Sequence, residues 1–226
     1  MLDKYDWPEE VLLFVNDTIK KAESLGVTFQ MSNERLLPYN GSVDIPVSGF
    51  FVVNPKPLLG VATGKPFEEW LPILIHESCH MDQWAENADE WTNNMIDETK
   101  EAADYIDEWI AGNDFWEETL DKVFLAAKNV EKDCEKRTIE KIEKYNLPIN
   151  KEIYAQKSNA YVHFYEHIRK TRKWWSSEQK PPYEQVSVWG VAPKQIVDTL
   201  PLELSNAFDK EYGSSLNIAQ KRKISP

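Results

Sequence analysis

Cysteine is scarce in this chain: 226 residues include two, Cys79 and Cys134. Two thiols are too few for a disulfide framework, and they read as buried thiols in a reducing compartment. Positive charge is also short. Against 38 Asp and Glu there are 26 Lys and Arg, which leaves a net charge of −12. An acidic chain repels phosphate backbones, so broad nucleic-acid binding is not expected. The run Lys170 to Lys173 reads as a solvated helix end. No apolar stretch approaches the roughly 20 residues needed to cross a bilayer. The first residues, Met-Leu-Asp-Lys-Tyr-Asp, contain no basic region leading into an apolar run. The expectation is a soluble cytoplasmic protein with no membrane partner. Internal repeats, low-complexity segments and Gly-rich phosphate loops are missing as well.

What is present is organised in two styles. Val11, Phe14, Val15, Ile19, Ala22 and Leu25 recur at helical spacing, with Asp6 as a cap, Pro8 in the first turn and Gly26 as the stop. From Val27 to Ala62 the chain changes to short β-branched or aromatic runs: Val27 to Met31, Val43 to Ile45, Gly49 to Val53 and Leu58 to Ala62. Proline and glycine punctuate them, the pattern of a small sheet with tight connections. From Phe67 to about Trp174 the pattern is helical. Pro72 falls in the first turn of the leading helix, and further helices span Trp91 to Ile110, Phe115 to Tyr145 and Glu152 to Trp175. The fold class predicted is α+β, a small N-terminal sheet followed by a mostly helical remainder. One domain is expected over residues 1–175, with residues 176–226 as a less regular extension packed on it.

Histidine is nearly as rare as cysteine, with four in all, yet two of them close the run His76-Glu77-Ser78-Cys79-His80. Residues four apart share one helix face, so His76 and His80 can present two imidazoles to one ion. Glu77 can then act as general base on the water that zinc activates for attack on a carbonyl. The apolar lead-in Leu71, Ile73, Leu74, Ile75 predicts a buried helix that holds those ligands rigidly. Zn2+ is therefore the expected cofactor.

Catalytic zinc takes three protein ligands and leaves a position open. Glu131 is the expected third. Glu135 lies four residues on, where it can hold the free nitrogen of a ligand histidine from the second shell. Cys134, one residue off that face, is expected to pack under the motif helix. The bland alternative for this stretch is an exposed charged helix. Ser78 has no base of its own and is not expected to be a nucleophile.

An HExxH followed by a Glu on a later helix resembles the gluzincin metallopeptidases, the thermolysin-like branch of the zincins. Glu131-Lys132-Asp133-Cys134-Glu135 is similar to the run that begins with the ligand Glu in that group. The resemblance covers residues 50 to 140. It departs from the compact members in the longer gap between His80 and Glu131, which leaves the Trp-rich stretch between them as an insertion. The small acidic chain is also similar to phage-encoded members. The resemblance implies a zincin-like fold with an edge strand beside the motif helix, either Gly49 to Val53 or Leu58 to Ala62. It implies hydrolysis of a peptide or amide bond in a peptide or protein substrate. It also implies an oxyanion donor, for which Tyr161 and His163 are the candidates, with Tyr165 and His167 on the same stretch. His163 and His167, four apart, also admit a second metal pair, and packing of an aromatic helix accounts for them equally well. The competing functions are a zinc-binding protein without catalysis and a regulatory protein that acts through the acidic, Trp-rich surface from Trp84 to Trp116.

Overall fold

Helix α1, Glu9–Ser24, forms because Val11, Phe14, Val15, Thr18 and Ala22 fall on one face, and all five are buried. Its exit uses glycine. Gly26 sits at φ +71°, its N–H bonds Glu23 O, and the N–H of Val27 reaches back to Ala22 O at 2.8 Å. That is the Schellman arrangement, which only a residue free to adopt positive φ closes cheaply. The structure, a computed structural model, describes residues 7–39, 42–176 and 178–213. The expected cap Asp6 lies outside them, and Pro8 occupies the N-cap position.

Five strands follow: β1 Thr28–Ser32, β2 Leu37–Tyr39, β3 Ser42–Val47, β4 Gly49–Val52 and β5 Leu58–Ala62. β2 and β3 pair as an antiparallel two-stranded sheet, and the other three form a sheet in the order β1-β5-β4. β5 runs parallel to β1, with Phe29 opposite Leu59, and antiparallel to β4, with Phe51 opposite Leu59. Its interior place explains its continuous apolar run: residues 59 to 62 are all buried. Leu58 to Ala62 is therefore not the edge strand, which corrects one of the two expectations. β4 is.

Helix α2, Phe67–Glu86, packs on β5 and β4. It starts at Phe67, where the helical pattern was expected to begin, but that leaves Pro72 beyond the first turn in which it was placed. Pro66 caps it, so Pro72 stands in the second turn and removes the N–H that would have bonded to Glu68. Trp70, Leu71, Leu74 and Ile75 are buried. Asn87, at φ +50°, ends the helix.

The remaining helices are α3 Asp89–Asn94, α4 Ala102–Ile110, α5 Glu117–Lys144, α6 Lys151–Val162, α7 Phe164–Thr171, α8 Val186–Trp189 and α9 Leu202–Tyr212. The expected helix over Trp91 to Ile110 is thus two. Asp97 divides it, because its Oδ1 accepts the backbone N–H groups of Thr99 and Lys100, at 2.8 and 2.9 Å. A side chain that bonds its own backbone two and three residues on favours a turn over a continuing helix.

The chain forms two compact units. The first is Met1–Ala88 with Cys134–Ile149, and the second is Asp89–Asp133 with Asn150–Pro226. This differs from the expected single domain with an extension. Val188, Ala192, Leu204 and Phe208 lie in the same core of the second unit as Ile106, Val123, Phe164 and Ile168. Its irregular stretch is tied down by buried amides. Gln156 Nε2 donates to Ala192 O at 3.0 Å, and Asn159 Nδ2 donates to Pro193 O and Gln195 O at 2.9 and 2.8 Å. The α+β class holds: a small sheet near the start and helices through the rest.

Candidate metal centre

The four-residue spacing on α2 brings His76 and His80 together at right angles. Their ring centroids are 4.7 Å apart, with 87° between the planes, and the two Nε2 atoms lie 3.1 Å apart. Each ring has its other nitrogen engaged. His80 Nδ1 lies 2.8 Å from Gln83 Oε1, one turn on along the same helix. His76 Nδ1 lies 3.3 Å from Glu135 Oε1 and 3.5 Å from Cys134 Sγ, both in the segment of α5 that belongs to the first unit. The Cys134 thiol also donates to the backbone carbonyl of His76, at 3.2 Å.

A carboxylate only accepts, so the contact with Glu135 favours a proton on His76 Nδ1. The two Nε2 atoms, 3.1 Å apart, are close enough to share a proton or to hold a cation between them. Zinc held by two nitrogens at about 2.0–2.1 Å in tetrahedral geometry sets those nitrogens about 3.3 Å apart. The observed pair fits that spacing.

Among the described residues, His76, His80 and Cys134 each offer one donor atom within 4.8 Å of the others. The histidine contacts refine this grouping. Cys134 meets His76 at Nδ1, whereas the spot shared with His80 lies at Nε2, on the other edge of the ring. Cys134 therefore sits as a neighbour of the outer nitrogen, beside Glu135, and the packing role expected for it is extended by a polar one.

Glu77 follows His76 on α2, and strand β4 runs close beside it. A Cβ built on Gly49 would lie 3.4 Å from Glu77 Cγ and 2.6 Å from Ile73 Cγ2, so glycine lets the edge strand approach the motif helix. On the opposite side, buried polar groups tie the helix down. Lys141 Nζ donates to Ser78 Oγ at 2.8 Å and pairs with Asp82 Oδ2 at 2.8 Å, and Lys21 pairs with Asp82 Oδ1 at 2.7 Å. Ser78 is wholly buried and donates to Ile75 O, a structural setting and not that of a nucleophile. Burial alone would raise the Cys79 thiol. Its hydrogen bond with Cys134, the Lys141 charge and Thr138 outweigh this and bring it down to about 7.

The other predicted residues belong to the second unit. Glu131 is half-buried on α5, three residues before Cys134. Its negative charge acts on a hydrogen-bonded tyrosine pair, Tyr161 and Tyr165. Burial first and Glu131 second push both hydroxyls up, so both remain protonated donors at neutral pH. His163 is completely buried, with Nδ1 3.2 Å from Glu166 Oε1 and Nε2 3.2 Å from Val197 O. Both of its nitrogens are engaged inside the unit, so it is placed as a packing residue. His167 stacks on Phe164 at 5.2 Å. The two histidines use their nitrogens on different partners, Glu166 and Val197 for one and Asp209 for the other, and do not form a metal pair.

Sequence reasoning missed Gln83. Its signal was present: a residue three after His80 shares that ligand's face. Comparison with protein-family profiles, curated proteins and solved structures gives no match to this chain.

Proposed function

We propose that this protein is a zinc-dependent hydrolase of peptide or amide bonds, with His76 and His80 as metal ligands and Glu77 as general base. The observation that carries the reading is the approach of His76 Nε2 and His80 Nε2 to 3.1 Å on the helix turn that bears Glu77. Zinc held there would supply a Lewis acid for the carbonyl and a nucleophile at neutral pH. Glu77 takes the proton from the attacking water and returns it to the leaving nitrogen. Glu135 and Gln83 orient the two rings from behind, at Nδ1. Glu131 is proposed as the third ligand, and Tyr161 as the donor to the developing oxyanion.

The substrate class follows from β4. It is the edge of its sheet and lies against the motif helix at Gly49, so an extended peptide can pair with its backbone. The decisive experiment is cleavage of a peptide library by the full chain with and without zinc, alongside Glu77→Gln. Zinc-dependent products from the wild type, reduced at least about a hundredfold in the variant, are expected. Zinc uptake without any cleavage would identify a binding protein instead.

A further inference from the structure

The chain has two cysteines, and the fold brings them together. Cys79 lies on α2, and Cys134 begins the part of α5 that belongs to the same unit. They are far apart in sequence, yet both are wholly buried and their thiols are hydrogen-bonded to each other. Thr138 spans the pair: its hydroxyl contacts Cys79 Sγ at 3.5 Å and donates to Cys134 O at 3.0 Å. We propose that Cys79 and Cys134 form a reversible disulfide that joins α2 to α5, a modification site for a small disulfide oxidant of the glutathione class.

A single buried thiol is inert, because an oxidant cannot reach it and stay. A pair behaves differently. When local opening lets the oxidant meet one cysteine, a mixed disulfide forms, and the neighbouring sulfur then displaces the second half of the oxidant. Both S–H bonds break and one S–S bond forms between the cysteines. The S–S bond of the oxidant breaks, and its two sulfurs leave as thiols that carry the two protons and the two electrons. The enclosed site holds two small side chains and excludes a bulky adduct, so the internal bond is the end product. In a reducing compartment the pair rests as thiols, and the bond appears when the surroundings turn oxidising, the behaviour of redox-sensing disulfides. The bond needs neither metal nor substrate. It would tie the motif helix covalently to the segment that carries Glu135 and remove the S–H that Cys134 donates to His76 O at 3.2 Å.

The test incubates the full chain in mixtures of glutathione and glutathione disulfide, quenches with acid and weighs the product. The expected product is lighter by two hydrogens, yields a peptide that joins Cys79 to Cys134, and regains its mass with a dithiol reductant. At fixed glutathione, half-conversion of the folded chain should need at least about tenfold less glutathione disulfide than half-conversion in denaturant, because the fold already holds the sulfurs together. A folded chain that stays reduced where the denatured one is oxidised overturns the proposal. So does an equal or greater need for oxidant, a persistent glutathione adduct, or a disulfide between two chains. Cys134→Ser is the second measurement. Its Cys79 should stay reduced in the mixture that converts the wild type, and a Cys79 that takes up glutathione there as readily would show that it reacts alone and overturn the pairing.

Discussion

Glu135 and His76 meet across the helix pair α2 and α5, with Oε1 3.3 Å from Nδ1, while Nε2 of the same ring faces His80. The carboxylate is 6% exposed, so solvent does little to screen the contact. Removing the carboxylate charge should therefore loosen the metal without removing a ligand. Glu135→Gln is expected to lower zinc affinity about 10–100-fold while the stoichiometry at saturation stays at one. Titration against a chelator of known affinity checks this. A Glu135→Gln chain with wild-type affinity would leave His76 without an orienting partner and sink the assignment.

Glu131 has a sharper expectation. If it is the third ligand, Glu131→Gln should cost more zinc affinity than Glu135→Gln, since a bond to the metal is lost and not a contact behind one. Absorption spectroscopy at the zinc edge should show only nitrogen and oxygen neighbours, at about 2.0–2.2 Å. A sulfur neighbour at about 2.3 Å would instead assign the position to Cys134 and remove Glu131 from the set.

Gly49 should tolerate no larger residue. A side chain there begins 2.6 Å from Ile73 Cγ2, closer than carbon atoms approach without displacement. Gly49→Val is expected to destabilise the protein by about 1–3 kcal/mol, the usual range for overpacking. Chemical denaturation measures the loss. An unchanged midpoint would mean that β4 and α2 part easily and that glycine is incidental there.

His167 should make stability depend on pH. Burial holds its pKa below the ordinary value, with Asp209 pulling it back up and Lys170 adding to the fall. Its Nε2 meets no partner among the described residues. A group whose folded pKa is depressed stabilises the fold above its unfolded pKa, here about 6.5, and that contribution is lost as pH falls through the folded value. Denaturation at about pH 7.5 and about pH 5.5 should show the folded state weakening toward acid. His167→Phe, which suits the aromatic surroundings, should flatten that slope. A slope that survives the substitution points to another group.

The centre was legible in part because helix periodicity is a local property. The approach of His76 to His80 needed only the spacing of 3.6 residues per turn, and the contact of Glu135 with His76 follows the expectation of a carboxylate behind one of the two histidines. Gln83 carried the same helical signal as the histidines but no chemical one, since a glutamine on a helix is usually solvated. The edge of the sheet was not legible. β4 and β5 have similar compositions, and which is internal depends on the parallel pairing of β5 with β1, a contact between residues 30 apart in sequence. The break between α3 and α4 was overlooked because an acidic run reads as helix until the Asp97 side chain is seen holding its own backbone. The two-unit division had little local signal, because one of its boundaries, Asp133 to Cys134, falls inside an uninterrupted helix.

That boundary also governs how the chain is made. The ribosome releases His76, Glu77 and His80 with the first 88 residues, but Cys134, Glu135 and Lys141 belong to the same unit and arrive some fifty residues later. Through that interval the nascent motif helix carries both histidines without the carboxylate that orients His76 or the ammonium group that bonds Ser78 and Asp82. A fragment cut after Ala88 would freeze this immature state. It would keep every letter of the HExxH signature and lack half of what holds the signature in place.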